Sequence, residues 1–314
     1  MVNFASAPIP VFPYALICRD LELAVTTFST VRKHAPLDLM ASPHRIDFHQ
    51  IALVTEGSGE LSADFTPFGL RPGTLFWTRP SQVLEFRVAP DLEASVILFT
   101  ETFPLPLGGT LEMLDDALRP TFWQLSGTEV ATFQPIVSLL REEFGRPDPG
   151  LGDDLLRHLL AVLLLRIDQL CRWRHALRAD GGGVPREHGH ESMTLVRRFR
   201  RELERSFRTT RLVDDYAAAL SCSTRTLARV CRAATGRSTK DLIDTRVTLE
   251  AQRLLVHTDW GIGAIAHHLG FTEVTNFSKF FMRRVNVPPG AFRQEAKGRA
   301  ADPRGAWRET YGRK

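Results

Sequence analysis

The sequence predicts an α+β protein of more than one domain. A β-barrel leads, a helical segment follows, and the C-terminal part is all helix, with two helix-turn-helix units. Three observations carry this prediction. Short apolar stretches separated by turn signals fill residues 38 to about 103. After Pro120 the apolar period changes from two to between three and four. The 314-residue length suits about two domains.

The apolar stretches of the first part are Phe48–Val54, Thr74–Trp77, Val83–Val88 and Ala94–Phe99. Between them lie Glu56-Gly57-Ser58-Gly59, Pro67-Phe68-Gly69, Arg71-Pro72-Gly73 and Ala89-Pro90-Asp91, each rich in turn formers. In the third stretch Leu84, Phe86 and Val88 share one face, which leaves Glu85 and Arg87 pointing outward.

Glu129 to Phe144 then reads as a helix, with Phe133, Val137, Leu140 and Phe144 on one stripe. Asp153 and Asp154 open a longer helix, where acids favour a helix start. Leu156, Leu160, Leu163, Ile167 and Leu170 recur along it at spacings of three and four, and Leu155, Leu159 and Val162 widen the stripe. That width predicts packing against a second copy, with Leu156, Leu160, Leu163 and Ile167 as the seam. A helix wholly buried inside one subunit would show the same stripe.

Asp180 to Ser192 is glycine-rich and polar, the best boundary in the chain. Beyond it, Asp214–Leu220 reads as a short helix, Ser221-Cys222-Ser223 as a tight break, and Thr224 to about Thr235 as a second helix. Ser223 is its natural N-cap and Gly236 its stop. On this second helix Leu227, Val230, Cys231 and Ala234 form an apolar face, while Arg225, Ala228, Arg229 and Arg232 form the other. The pattern recurs downstream. Ile262, Ile265, Ala266 and Leu269 mark a short helix, Gly270-Phe271 a turn, and Thr275 to Val285 a second helix. Its Phe277, Phe280 and Phe281 point inward, and Asn276, Lys279 and Arg283 point out together. Between the two units, Thr239–Val256 gives about 27 Å of helix. A spacer of that size could set two helices near one turn of duplex DNA apart, about 34 Å.

These signals divide the chain into a barrel over 1–126, a helical dimerisation segment over 127–178 and a linker over 179–191. A helical domain follows over 192–297, then a basic tail over 298–314. Charge separates the parts as well. Residues 193–314 hold 24 Lys and Arg against 12 Asp and Glu, a net of +12, so the rest of the +4 chain carries a net of −8. A basic domain joined to an acidic one suits a polyanion partner, nucleic acid being the commonest. Guanidinium forks on an exposed helix face match guanine edges and phosphates, and small neighbours permit close approach. The candidate contacts are Ser223, Thr224, Arg225, Arg229 and Arg232 in the first unit, and Thr275, Asn276, Lys279 and Arg283 in the second. Arg232 lies further down its helix and suits a phosphate.

Composition excludes other classes. A chain that is 43% hydrophobic and 24% charged is not disordered throughout. No stretch offers the roughly 20 uninterrupted apolar residues of a membrane span, and no signal peptide is evident. Four scattered cysteines (Cys18, Cys171, Cys222, Cys231) argue against a disulfide framework or zinc ribbon and fit a reducing cytoplasm.

The stretch Asp214–Arg293 resembles the AraC/XylS family of transcription regulators. Leu227-Ala228-Arg229 before Gly236 is similar to the end of that family's first reading helix. Arg246, Ala251, Leu254 and Leu255 fall where its linker helix has Arg, Ala and paired Leu. Ile265-Ala266, Gly270-Phe271, Asn276-Phe277-Ser278-Lys279, Phe281, Pro289 and Phe292-Arg293 resemble its C-terminal signature. Three positions depart from it. Asn286 replaces the usual Gly, Met282 a usual basic residue, and Cys231 a common aromatic. Asn also visits left-handed backbone, which makes the first exchange tolerable.

The resemblance implies a cupin-like effector barrel with a helical pair for dimerisation. It further implies double-stranded DNA, a small-molecule effector, a second copy of the chain and RNA polymerase as partners, with no catalytic residues and no cofactor. For the barrel it rests on Gly57-Ser58-Gly59, Arg71-Pro72-Gly73 and the strand order. His49 and Trp77 are the candidates for lining an effector cavity, with ordinary strand packing as the competing account. A metal-dependent cupin enzyme fused to a DNA-binding tail is the alternative. It needs a close H-x-H and a nearby Glu, whereas His44 and His49 are five apart and Glu56 lies beyond. A DNA-repair fusion would need an activated thiolate, and Cys18 has no basic neighbour beyond Arg19. A family member with no effector, regulated by its abundance, completes the alternatives.

Overall fold

Alternation and turn chemistry build one compact unit, Met1–Glu187, and helix pairing builds the other, His188–Lys314. The computed structural model describes residues 9–16, 21–34, 40–105, 121–146, 152–178 and 190–301. Cys18, residues 179–189 of the expected linker and residues 302–314 of the basic tail lie outside them.

The first unit contains β1 (Val11–Phe12), β2 (Leu23–Thr27), a short helix α1 (Phe28–His34), β3 (His44–Ile46), β4 (His49–Glu56), β5 (Gly59–Ala63), β6 (Thr66–Leu70), β7 (Thr74–Thr78), β8 (Val83–Val88), β9 (Glu93–Phe99) and β10 (Phe122–Gln124). They form two five-stranded sheets, ordered β1-β3-β8-β5-β6 and β10-β7-β4-β9-β2. The expected barrel is therefore a cupin-like sandwich of two sheets rather than one closed sheet. The four apolar stretches became β4, β7, β8 and β9. Pro67-Phe68-Gly69, expected as a turn, instead lies within β6. That strand is at a sheet edge, where proline's missing N–H is tolerated. The turn comes earlier, at Asp64 and Phe65, whose φ angles are 47° and 72°. Two successive positive φ values are the hairpin geometry that matches strand twist. The Asp64 carboxylate secures it by accepting from the Val83 amide at 3.2 Å.

Two apolar layers result. Ala52, Val54, Phe76, Val96 and Leu98 of the second sheet meet Leu61, Leu70, Leu84 and Phe86 of the first. Glu85 and Arg87, on the outer face of β8, pair with each other at 2.7 Å. The other face of the second sheet is covered by α2 (Gly127–Phe144) and α3 (Gly152–Arg178). Ser126 caps α2 in a capping box with Glu129. Arg174, near the end of α3, donates to Glu129 Oε2 and to the Gln124 carbonyl, both at 2.8 Å, which pins the two helices to β10.

This layer corrects two expectations. Leu156, Leu160, Leu163 and Ile167 are buried against Ile51, Leu53, Leu75 and Ile97 of the same unit, so they are not a seam open to a second copy. Full burial of each such side chain contributes about 1.5–3 kcal/mol, and the sheet already takes that gain. Of the residues that widened the stripe, Leu159 packs at the edge of this layer, whereas Leu155 and Val162 are exposed, as are Leu165 and Trp173 on the same helix.

The second correction concerns His49 and Trp77. Strand alternation turns both toward the helical layer, away from the space between the sheets. The His49 ring stacks on Phe99 with centroids 5.0 Å apart, and its Nδ1 accepts from Trp77 Nε1–H at 3.3 Å. Arg79 lies over the Trp77 indole at 4.4 Å. Both are packing residues of the sheet–helix layer.

Burial, reinforced by the Arg79 charge, holds the His49 pKa well below the ordinary imidazole value. A base with a depressed folded-state pKa stabilises the fold above the unfolded-state value, and that contribution is lost as pH falls below it. Lowering the pH from 7.5 to 5.5 should therefore lower the melting temperature of the wild type more than that of His49→Phe, which keeps a ring against Phe99. Equal slopes in thermal melts of the two proteins would remove His49 as the source.

Candidate nucleic-acid interface

The second unit contains α4 (His190–Ser206), α5 (Val213–Ala219), α6 (Thr224–Thr235), α7 (Thr239–His257), α8 (Ile262–His268), α9 (Val274–Val285) and α10 (Pro289–Ala301). The pairs α5–α6 and α8–α9 are the two helix-turn-helix units, and their second helices start where the sequence places them, within one residue.

Each unit is built by the same local physics. In the first, the Cys222 amide reaches back to the Ala217 carbonyl at 3.0 Å, with Ser221 left-handed at φ 55°. In the second, the Phe271 amide reaches the Ala266 carbonyl at 2.9 Å, with Gly270 at φ 73°. The carbonyl of the C-cap residue that follows each first helix accepts from an arginine upstream. Arg198 donates to Leu220 O at 3.3 Å and Arg211 to Leu269 O at 2.8 Å. Ser223 Oγ accepts from the Thr226 amide at 3.1 Å and starts α6. Gly236 and Asn286 end α6 and α9 with φ of 72° and 61°, so Asn286 does the work of the expected glycine.

The two second helices sort their faces as expected. Leu227, Val230 and Cys231 are buried on α6, as are Phe277, Phe280 and Phe281 on α9. Ala234 is the exception: it lies in the last turn of α6 and is exposed. Ser223, Thr224, Arg225, Arg229 and Arg232 are all exposed, as are Thr275, Asn276, Lys279 and Arg283. Met282 is exposed where a basic residue is usual. Beside α9 lies an open concavity of about 820 Å³, lined by Arg211, Lys240, Phe271, Thr275, Asn276 and Lys279. Sequence reasoning missed Arg211 and Lys240 here. Arg211 sits over the Phe271 ring at 3.6 Å and is a turn residue with no helical period to announce it.

Both units share a single apolar core, in which Leu227 and Cys231 of the first join Phe277 and Phe281 of the second through Ile243, Val247, Leu254 and Leu255 of α7. Among the described residues, no three His, Cys, Asp or Glu side chains cluster as a metal site requires. Cys231 is fully buried, and burial raises its pKa, the opposite of an activated thiol.

Comparison with known proteins agrees with this geometry. A family model described as an AraC-like ligand binding domain matches residues 27–160, and one described as a helix-turn-helix domain matches residues 216–295. The chain belongs to the AraC family of transcriptional regulators. It is 24% identical over 260 residues to the HTH-type transcriptional activator RhaS of Escherichia coli O157:H7, covering 81% of this chain and 88% of that relative. It is 26% identical over 290 residues to the activator RhaR of Klebsiella pneumoniae, covering 91% of this chain and 99% of that one. A structure of ToxT from Vibrio cholerae aligns over 88% of this chain and 98% of its own, at 13% identity and a TM-score of 0.35. This AraC-family chain thus joins an N-terminal ligand-binding sandwich to a helix-turn-helix DNA-binding domain. No helix among the described residues is long and apolar enough to cross a membrane.

Gly236 and Gly270 separate two costs of replacing glycine. Both have positive φ, but a Cβ at Gly236 meets nothing within 4 Å, whereas one at Gly270 would lie 2.3 Å from the Arg208 carbonyl oxygen. Gly236→Ala should cost about 1–2 kcal/mol from backbone strain alone. Gly270→Ala should cost clearly more, as measured by denaturant unfolding. Equal losses would mean that the 208–209 backbone yields freely.

Proposed function

We propose that this regulator reads a specific duplex sequence with two adjacent helices and that a small molecule bound by the sandwich controls the outcome. The observation that carries the reading is the pair of helices α6 and α9, held by one core and each exposing a polar, basic face. Arg225 and Arg229 are the base-reading groups of the first unit, and Asn276 and Lys279 those of the second. Ser223, Thr224, Arg232, Thr275 and Arg283 hold the phosphates alongside. Two positive stripes also make affinity depend steeply on salt, because each neutralised phosphate releases counterions. The effector acts by binding the sandwich differently in two states of the chain, which shifts their populations. The named relatives are activators, which supports activation and contact with RNA polymerase. The same reading places the protein in the cytoplasm and makes it a binder rather than an enzyme.

Removing one base-reading fork should cost roughly 1–3 kcal/mol and relax preference at one position, whereas losing Arg232 should weaken all sequences about equally. Selection of duplexes from a random pool by wild type, Arg225→Ala, Arg229→Ala and Arg232→Ala separates the two classes. An unchanged motif for both Arg225→Ala and Arg229→Ala would overturn the assignment.

The reading includes a homodimer, with its seam moved to the face of α3 left open by the sandwich. Leu155, Val162 and Trp173 share an exposed stripe roughly a third of a turn from the buried one. Val162→Glu should give a folded monomer in sedimentation, since a carboxylate there faces the partner. Leu163→Glu should unfold the first unit instead, because it places an unpaired charge under the helix layer. A wild type that sediments as a monomer at micromolar concentration would end the dimer reading.

A further inference from the structure

The two reading helices are joined by more than apolar packing. Arg237, just past the end of α6, donates from Nε to Asp241 Oδ2 at 2.5 Å and from Nη2 to Thr245 Oγ1 at 2.6 Å. Arg284, in the last turn of α9, donates from Nη1 to Asp241 Oδ1 and from Nη2 to Thr245 Oγ1, both at 2.7 Å. Each carboxylate oxygen takes one arginine. The hydroxyl one turn further along α7 takes the second nitrogen of both. Asp241 and Thr245 are four residues apart, so they stand on the same face of the helix. Asp241 is itself fixed at its backbone, where its amide donates to the N-cap Ser238 Oγ at 3.1 Å. The Arg237 hydrogen bond, followed by that of Arg284, holds its carboxyl below the usual aspartate value although partial burial opposes the shift.

This brace differs from the core in what it constrains. Apolar side chains set how closely helices pack but resist small pivots weakly, because dispersion is non-directional. Guanidinium forks are planar and fix direction as well as distance. The brace ties Arg237, in the turn that follows α6, and Arg284, in the last turn of α9, to the same two residues of α7. Nor does the repeat supply it twice, since Arg237 and Arg284 occupy unlike positions relative to their helices.

We propose that Asp241 is a positioning residue that sets the separation and angle of the two reading helices, so that the protein accepts one spacing between its two DNA subsites. This rests on the DNA-reading function proposed above. It also assigns Arg284, whose guanidinium is held by Asp241 and Thr245, to the brace, and leaves its neighbour Arg283 to the DNA.

The test uses the full-length chain. A duplex selected by wild type from a random pool is footprinted, and a second probe carries one extra base pair between the two protected segments. Wild type should bind the longer probe at least about ten-fold more weakly. Asp241→Ala should bind the parent duplex several-fold more weakly and discriminate between the probes by less than roughly three-fold. Asp241→Glu, which keeps the carboxylate, should recover most of the discrimination. Arg284→Gln should relax spacing in the same way, and it decides the matter if circular dichroism shows that Asp241→Ala is unfolded. A folded variant that loses melting temperature yet keeps the wild-type discrimination would overturn the proposal, because the brace would then serve stability alone. So would Arg284→Gln weakening both probes equally, the mark of a plain phosphate contact. A wild type that selects no duplex would bring down the DNA-reading function and this proposal together. Wild-type selection with unchanged discrimination in the variants would remove only this one.

Discussion

A helix buried along most of its length must find partners inside the protein for every charge it carries, and α7 is such a helix. Arg246, Glu250 and Arg253 are buried from its middle onward. Arg246 donates to Glu204 of α4 at 2.7 Å and to Glu250 at 3.3 Å, and it lies over the Phe207 ring at 3.9 Å. Burial would lower its pKa, but the two carboxylates outweigh burial and hold it above the usual value. Removing one member of such a network costs about 3–5 kcal/mol, because the remaining charge is stranded, whereas an apolar replacement of the whole set can be neutral. The network therefore contributes orientation more than stability. It seats α4 on α7 in one register, and α4 in turn caps the turn of the first helix-turn-helix through Arg198.

Everything that meets DNA hangs on that axis. The first half of α7 holds the ends of α6 and α9, and its apolar side chains close the core that both units share. The repeat within the domain is one of local chemistry: a left-handed residue at each turn, an upstream arginine on each free carbonyl, a left-handed stop after each second helix. The differences fall where the units meet. Ser221 accepts the left-handed turn in the open, while Gly270 must be glycine because the 208–209 backbone lies against it.

The sandwich obeys a different constraint. Its second sheet is buried on both faces, by the first sheet on one side and by α2 and α3 on the other. Its central strands are therefore apolar almost without interruption, and the α3 stripe is wide because one part of it lines this layer. The remaining apolar residues on the outer side of α3 are a separate surface. A wide stripe in sequence thus holds two narrower ones with different neighbours.

What the sequence determined by itself is what local rules encode. The helix-turn-helix boundaries followed from Ser223, Gly236 and the spacing of Leu227, Val230 and Cys231, and the left-handed role of Asn286 followed from its side chain. The strands of the sheet centres followed from apolar runs. The edge hairpin of β5 and β6 did not, because an edge strand tolerates Pro67 and one solvent-facing side, so its pattern resembles a turn. Tertiary structure alone decided which layer each apolar face joins. Periodicity places Leu163 and Val162 on neighbouring parts of one stripe, but only the packed sheet shows that the first is covered and the second is not. The same holds for His49 and Trp77, whose strand positions were legible while the side of the sheet they face was not. The brace on Asp241 was invisible for the same reason: Arg237, Asp241, Thr245 and Arg284 lie as many as 47 residues apart in the chain, and no local period joins residues whose contact depends on how three helices cross.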